Sequence, residues 1–210
     1  MTIKAVIFDL NGTILTDEDE YGLAFKTILG KLGAKNIEDY PQESGVGVEE
    51  NWPILLKKYN LKTKRTMGEL ASETQMEYLK LLPQVTLRKG FLDLVKIFKS
   101  TGTKIALATS NTWEMVEKIF EKFSIEDLFD TVTTKEELTH NKPDPEIFEL
   151  TANKLNTSES DCLVFEDSQA GIRAGHEAGM RVVGVARNEA HRKVLKDADV
   201  VIEDYSKLIL

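Results

Sequence analysis

Four short polar clusters in this chain of 210 residues carry side chains that could do chemistry together. The first is Asp9-Leu10-Asn11-Gly12-Thr13, at the end of an apolar run. The second is Thr109-Ser110-Asn111, after KIALA. The third is Lys142, inside HNKPDPEIF, and the fourth is Glu166-Asp167, after CLVF. Each has an ordinary use when taken alone: an aspartate caps a turn, Thr-Ser-Asn starts a helix, and a lysine is a solvated charge. In this order, three of them directly after an apolar run, they describe a phosphoryl-transfer site. A carboxylate can act as nucleophile and become an aspartyl-phosphate. Carboxylate and carbonyl oxygens can hold Mg²⁺, a hard ion that prefers oxygen ligands. A hydroxyl, backbone amides and a lysine can clamp the phosphoryl oxygens. Gly12 lets the backbone turn sharply beside such a ligand.

The elements that must position these groups follow from the apolar patterning. Residues 3–8, IKAVIF, are short, largely β-branched and apolar, as expected of a strand buried on both faces of a parallel sheet. Similar runs recur at 104–108, 162–165, 182–185 and 200–202, with TVTT at 131–134 a weaker one. Helical stripes alternate with them: Phe91, Leu94, Val95 and Phe98, then Trp113, Val116, Phe120 and Phe123. This alternation predicts a Rossmann-like, doubly wound α/β sheet with right-handed crossovers. In such a sheet, ligands bind at the carboxyl ends of the strands. Residues 17–83 read differently. Three amphipathic stripes run through Phe25, Ile28, Leu29 and Leu32; Trp52, Leu55, Leu56 and Tyr59; and Met67, Leu70, Thr74, Tyr78 and Leu81, with no convincing strand. We therefore expect an α/β core of residues 1–16 and 84–210 and an inserted helical cap of residues 17–83, hinged at DEDEYG and PQVTLRKG.

Composition narrows the function. There are 35 acidic and 27 basic residues, a net charge of −8, which argues against a nucleic-acid partner. No apolar run is long enough for a membrane span, and the first one breaks at Asp9 before forming a leader. A cytoplasmic protein is expected. The single cysteine, Cys162, forms no internal disulfide and should pack in a strand, and His140, His176 and His191 show no metal spacing. The oligomeric state stays open and is compatible with a monomer.

The segments FDLNGTILTD, ALATSN, NKPDPEIF and VFEDSQAGIRAG resemble, in order, the four signature motifs of the haloacid dehalogenase superfamily. The last two are similar to those of its β-phosphoglucomutase and phosphoglycolate-phosphatase-like branch. The resemblance covers residues 3–185, with the helical insert matching in position and type. It implies that Asp9 is the nucleophile. It implies that Asp9, the Asn11 carbonyl and Asp167 bind Mg²⁺ with Glu166 close by. It implies that Thr109 and Lys142 hold the phosphoryl group, while Ser110, Asn111 and Gly12 contact substrate. The substrate would be a small phosphorylated metabolite, hydrolysed through an aspartyl-phosphate.

Asn11 departs from the pattern. Phosphatases of this superfamily usually carry a second aspartate there, which protonates the leaving group and then activates water. An amide can do neither at neutral pH. Three readings stand: an introduced Asp→Asn change, a native slow phosphatase, or a phosphometabolite-binding protein with negligible turnover. A dehalogenase also lacks that aspartate but needs no Mg²⁺, and the metal pair is kept here. A sugar-phosphate mutase would carry a histidine and an arginine where Gly22 and Val48 stand. Trp52, Arg65 and the Gly45-Val46-Gly47 turn are the candidates for recognising the rest of the substrate.

Overall fold

The computed structural model describes residues 3–207. Its strands are β1 (Ala5–Phe8), β2 (Leu15–Thr16), β3 (Thr86–Leu87), β4 (Lys104–Ala108), β5 (Thr131–Thr133), β6 (Cys162–Glu166), β7 (Arg181–Val185) and β8 (Val200–Ile202). The helices are α1 (Glu18–Lys31), α2 (Val48–Lys58), α3 (Met67–Leu81), α4 (Phe91–Ser100), α5 (Trp113–Phe123), α6 (Glu146–Lys154), α7 (Gln169–Glu177) and α8 (Glu189–Val194). Six strands form one parallel sheet in the order β5-β4-β1-β6-β7-β8. The expected α/β sheet is therefore present, with β1 in the middle and the strand order reversing beside it. That reversal opens a crevice at the carboxyl ends of β1, β4 and β6.

The period of two along each strand explains why these runs are apolar throughout. Val6 and Phe8 of β1, Ile105 and Leu107 of β4, and Phe165 of β6 join one core. Their neighbours Ala5, Ile7, Ala106, Ala108 and Val164 join the other. The first core is aromatic: Phe8 stacks on Phe165 with ring centres 4.6 Å apart and meets Phe91 edge-on at 5.4 Å. The second uses small residues, which lets α6 and α7 lie close to the sheet. Cys162 is buried in β6, as expected.

The α5 stripe needs correcting. Met115, Val116, Ile119 and Phe120 are its buried residues, while Trp113 is 41% exposed and its indole N–H donates to Glu117. Several apolar phases fit one short helix, and the tertiary contact chooses among them. Outside residues 17–83, and not read from the sequence, a two-residue antiparallel ribbon of β2 with β3 ties together the two ends of the helical segment. Strands so short leave no periodic signal.

α1, α2 and α3 pack on one another between those short strands. Trp52, at zero exposure, anchors them: its ring lies 5.6 Å from that of Phe25 and its Nε1–H donates to Thr74 Oγ1 at 3.2 Å. Arg65 is exposed and pairs with Glu73 at 3.1 Å. Neither residue lines the cleft described below, so both recognition readings give way to structural ones. Trp52→Ala should cost roughly 3–5 kcal/mol, the scale of an emptied aromatic core site. A denaturant titration of the purified variant measures it.

Candidate active site

β1 ends at Phe8, and Asp9 continues its direction by donating its N–H to Phe165 O at 3.0 Å. The chain then turns through Leu10–Ile14. Gly12 stands at φ 71°, in the left-handed region, and a Cβ there would come 2.2 Å from Asp167 Oδ2. Only glycine satisfies both the dihedral and the close approach. Gly12→Ala should therefore push the loop off Asp167, destabilise the protein by at least about 1 kcal/mol and abolish activity; thermal melts and a phosphate-release assay read both. Arg88, which sequence reasoning did not single out, braces the same loop from a buried position. It donates to Gly12 O at 2.5 Å and Thr13 O at 3.1 Å and pairs with Glu18 at 3.3 Å. Tyr205 adds a hydrogen bond to Thr13 O at 3.1 Å. Nothing local marks Arg88, because its partners lie 70 or more positions away.

The four clusters converge. Lys142 Nζ, on the loop before α6, reaches Asp9 Oδ1 at 2.7 Å and Glu166 Oε1 at 2.5 Å. The other Glu166 oxygen accepts from the N–H and Oγ–H of Ser168, both at 2.8 Å. Among the described residues, the carboxylate of Asp167, the next residue, accepts only a long 3.5 Å bond from Thr13. Thr109, after β4, accepts at Oγ1 from the backbone N–H and the side-chain amide of Asn111. Among the described residues, Ser110 Oγ is buried with no hydrogen-bond partner.

Asp9, Asn11, Gly12, Thr109, Ser110, Asn111 and Asp167 share one cleft. Lys142 and Glu166 lie beneath it and are almost fully buried. Burial raises the Asp9 carboxyl to about 7, with Lys142 pulling it down and Glu166 pushing it up. Burial likewise lifts Asp167 well above the usual carboxylate range, reinforced by Glu166 and Asp9. Burial works against the Lys142 charge, yet Asp9 and Glu166 hold its pKa above the ordinary value. Three buried carboxylates thus face one buried cation. An oxygen-seeking divalent ion at Asp9, Asp167 and the Asn11 carbonyl would balance that charge, so the donor set fits Mg²⁺.

Asn11 is held at both ends. Its Nδ2–H donates to Asp17 Oδ2 at 2.5 Å, and its Oδ1 accepts from Asn111 Nδ2. Asp17 is buried and also accepts from Gly12 N–H at 2.9 Å and Tyr78 Oη at 2.7 Å. Burial raises it to about 6, against the pull of those hydrogen bonds. Tyr21 Oη donates to Asn111 Oδ1 at 3.2 Å, so α1 and α3 both reach the site. The segment 42–48 completes the cleft wall. Its Gly45 sits where a Cβ would lie 2.0 Å from Ser168 Oγ, so the helical part is seated directly on the strand ends. Of the sequence-stated recognition candidates, the Gly45-Val46-Gly47 turn does line the cleft, as does Val48. A ring nitrogen of His140 lies within 4.8 Å of ligand oxygens of Asp144 and Glu146, a grouping that sequence spacing missed. Glu146 there accepts from the Thr139 and His140 N–H groups, which makes it a brace for an exposed turn. No helix among the described residues is long and apolar enough to cross a membrane.

Known proteins share the sequence and the fold of this chain. A sequence model described as haloacid dehalogenase-like hydrolase matches residues 6–185. Beta-phosphoglucomutase of Bacillus subtilis is 34% identical over 216 residues, covering 99% of this chain and 92% of that protein. A phosphorylated carbohydrates phosphatase of Thermotoga maritima is 30% identical over 206 residues, covering 95% and 93%. The crystal structure of beta-phosphoglucomutase from Clostridium difficile superposes with a TM-score of 0.87 at 28% identity, covering 100% of this chain and 94% of that one.

Proposed function

The chain belongs to the haloacid dehalogenase-like hydrolases, and from that premise we propose that it hydrolyses a small phosphomonoester, of the phosphorylated-carbohydrate kind, with Mg²⁺ as cofactor. The observation that carries this is Lys142 clamped between Asp9 and Glu166 beside the nearly unpartnered Asp167. Lys142 holds Asp9 Oδ1, which leaves Oδ2 to attack phosphorus. The phosphoryl group passes to Asp9 as the leaving-group oxygen departs with its electron pair. Water then attacks the aspartyl-phosphate and releases inorganic phosphate. Thr109, Ser110 and the backbone amides after β4 hold the phosphoryl oxygens, and the unpartnered Ser110 Oγ gains its hydrogen bond when they arrive. Asp9, the Asn11 carbonyl and Asp167 would hold Mg²⁺, whose charge offsets that of the transferring group. Both Glu166 oxygens are already taken, so it serves by fixing Lys142 and Ser168.

Residues 17–83 act as a cap that excludes water while the phosphoryl group moves. Lys135 of the α/β part pairs with Glu49 and Glu50 of α2, at 3.1 and 3.2 Å, which helps seat it. One observation favours a second reading, a binder with negligible turnover: the Asn11 amide is tied at both ends and has no proton to give. A panel of phosphorylated metabolites, with Mg²⁺ and with chelator, separates the two. Phosphate release that chelator abolishes supports the hydrolase. Saturable binding without release supports the binder.

A further inference from the structure

The wall of the cleft formed by α1 and the segment 42–48 is distinctive in two ways. First, the segment is stitched into place. Asn51 accepts from Glu43 N–H at 2.8 Å and donates to Glu43 O, Val46 O and Gly47 O at 3.1, 3.0 and 3.2 Å. Next to that stitch Gln42 lines the cleft with its Oε1 buried and, among the described residues, without a hydrogen-bond partner. A buried carbonyl oxygen without a donor is unfavourable unless a ligand supplies one. Second, among the described residues the cleft lining contains Asp9, Asp17, Glu18, Glu43 and Asp167 but no lysine, arginine or histidine.

From these we infer that Gln42 is a specificity residue: its Oε1 accepts a hydroxyl of the substrate's non-transferring end, and the site takes monophosphates of neutral, hydroxylated compounds while disfavouring a second anionic group. The inference rests on the phosphatase reading and names the substrate class within it. A polyol or sugar hydroxyl supplies the donor that Gln42 lacks, and Tyr21, Phe25 and Val48 give the carbon skeleton an apolar face. A carboxylate or second phosphate at that end would lose water, meet no cation and face Glu18 and Glu43. Discrimination of this kind comes as much from the rejected partner's unmet needs as from the accepted partner's contacts.

The test uses competition, so slow turnover does not obscure it. Nitrophenyl phosphate with Mg²⁺ is the reporter, and the inhibitors are a hexitol monophosphate, a hexose bisphosphate, phosphoglycolate and inorganic phosphate. In this chain the hexitol monophosphate should bind more tightly than the bisphosphate or phosphoglycolate. In Gln42→Leu its inhibition constant should rise about tenfold relative to that of inorganic phosphate measured in the same variant. Gln42→Lys should move the preference toward the bisphosphate. Tighter binding of either anionic-tailed compound to this chain, or an unchanged ratio in Gln42→Leu, overturns the inference. Absence of Mg²⁺-dependent reporter hydrolysis would instead count against the phosphatase reading. Calorimetric titration with the same four ligands then decides the role of Gln42 by the same ratios.

Discussion

Asn11→Asp should raise turnover of alkyl phosphates by about 10²-fold or more, the scale of one positioned acid-base group. On the proposed mechanism the leaving oxygen departs without a proton from residue 11, which alkyl phosphates tolerate least and aryl or acyl phosphates tolerate best. Breakdown of the phosphorylated Asp9 lacks its base whatever the substrate was. This chain should therefore prefer activated phosphates and accumulate phosphoenzyme when Mg²⁺ is present. Steady-state rates on one aryl and one alkyl phosphate, with intact-mass detection of the phosphoenzyme, check both parts. Mg²⁺ affinity should change much less, because the ligand assigned to residue 11 is its backbone carbonyl.

The surroundings of Asn11 sharpen the expectation. Its Nδ2–H now points at Asp17 Oδ2, 2.5 Å away. An aspartate in its place would set carboxyl against carboxyl, and two such groups at hydrogen-bond distance share one proton. The shared proton keeps the hydrogen bond and supplies an acid beside the cleft. Equal alkyl rates in the two proteins would sink the idea. Of Asp17, Glu18, Asp19 and Glu20, the acids nearest in sequence, only Asp17 and Glu18 line the cleft and could then be the acid.

What the sequence made legible were the features that interrupt a pattern. KIALA coincides with β4 because a strand buried on both faces, here from Ile105 to Ala108, has no polar position until it ends, and VVI marks the edge strand β8. Asp9, Thr109 and Glu166 stood out for the same reason: each breaks an apolar run at the carboxyl end of its strand. Groups whose meaning lies in distant contacts were not legible. Gln42 is an unremarkable polar residue until Oε1 is found buried and unpartnered in a cleft. Arg88 reads as one charge in LRKG until it closes on two carbonyls of the loop after β1. Tyr78 fits its helical stripe, and nothing in that spacing tells that its hydroxyl ends on Asp17. Sequence supplies residue types and local order, whereas hydrogen-bond satisfaction is a property of the assembled fold.

Lys142 and Asp9 should respond in opposite ways to neutralisation. Lys142→Met keeps most of the buried stem but leaves Asp9 and Glu166 without their shared cation. Removing one partner of a buried ion pair typically costs about 3–5 kcal/mol, because the remaining charge has neither water nor counterion. That variant should lose both phosphate release and a large part of its stability. Asp9→Asn removes the proposed nucleophile, so hydrolysis should fall to background and no phosphoenzyme should form. Its fold should hold, because Lys142 keeps Glu166 at 2.5 Å and the raised Asp9 pKa marks a carboxylate that burial already disfavours. Asp9→Asn should therefore melt at or above the parent's temperature, trading function for stability as strained active sites do. Thermal melts and activity measured on both variants side by side decide the matter. A Lys142→Met protein as stable as its parent would remove the buried pair from the account of the fold. An Asp9→Asn protein that still forms a phosphoenzyme would remove Asp9 from the account of the chemistry.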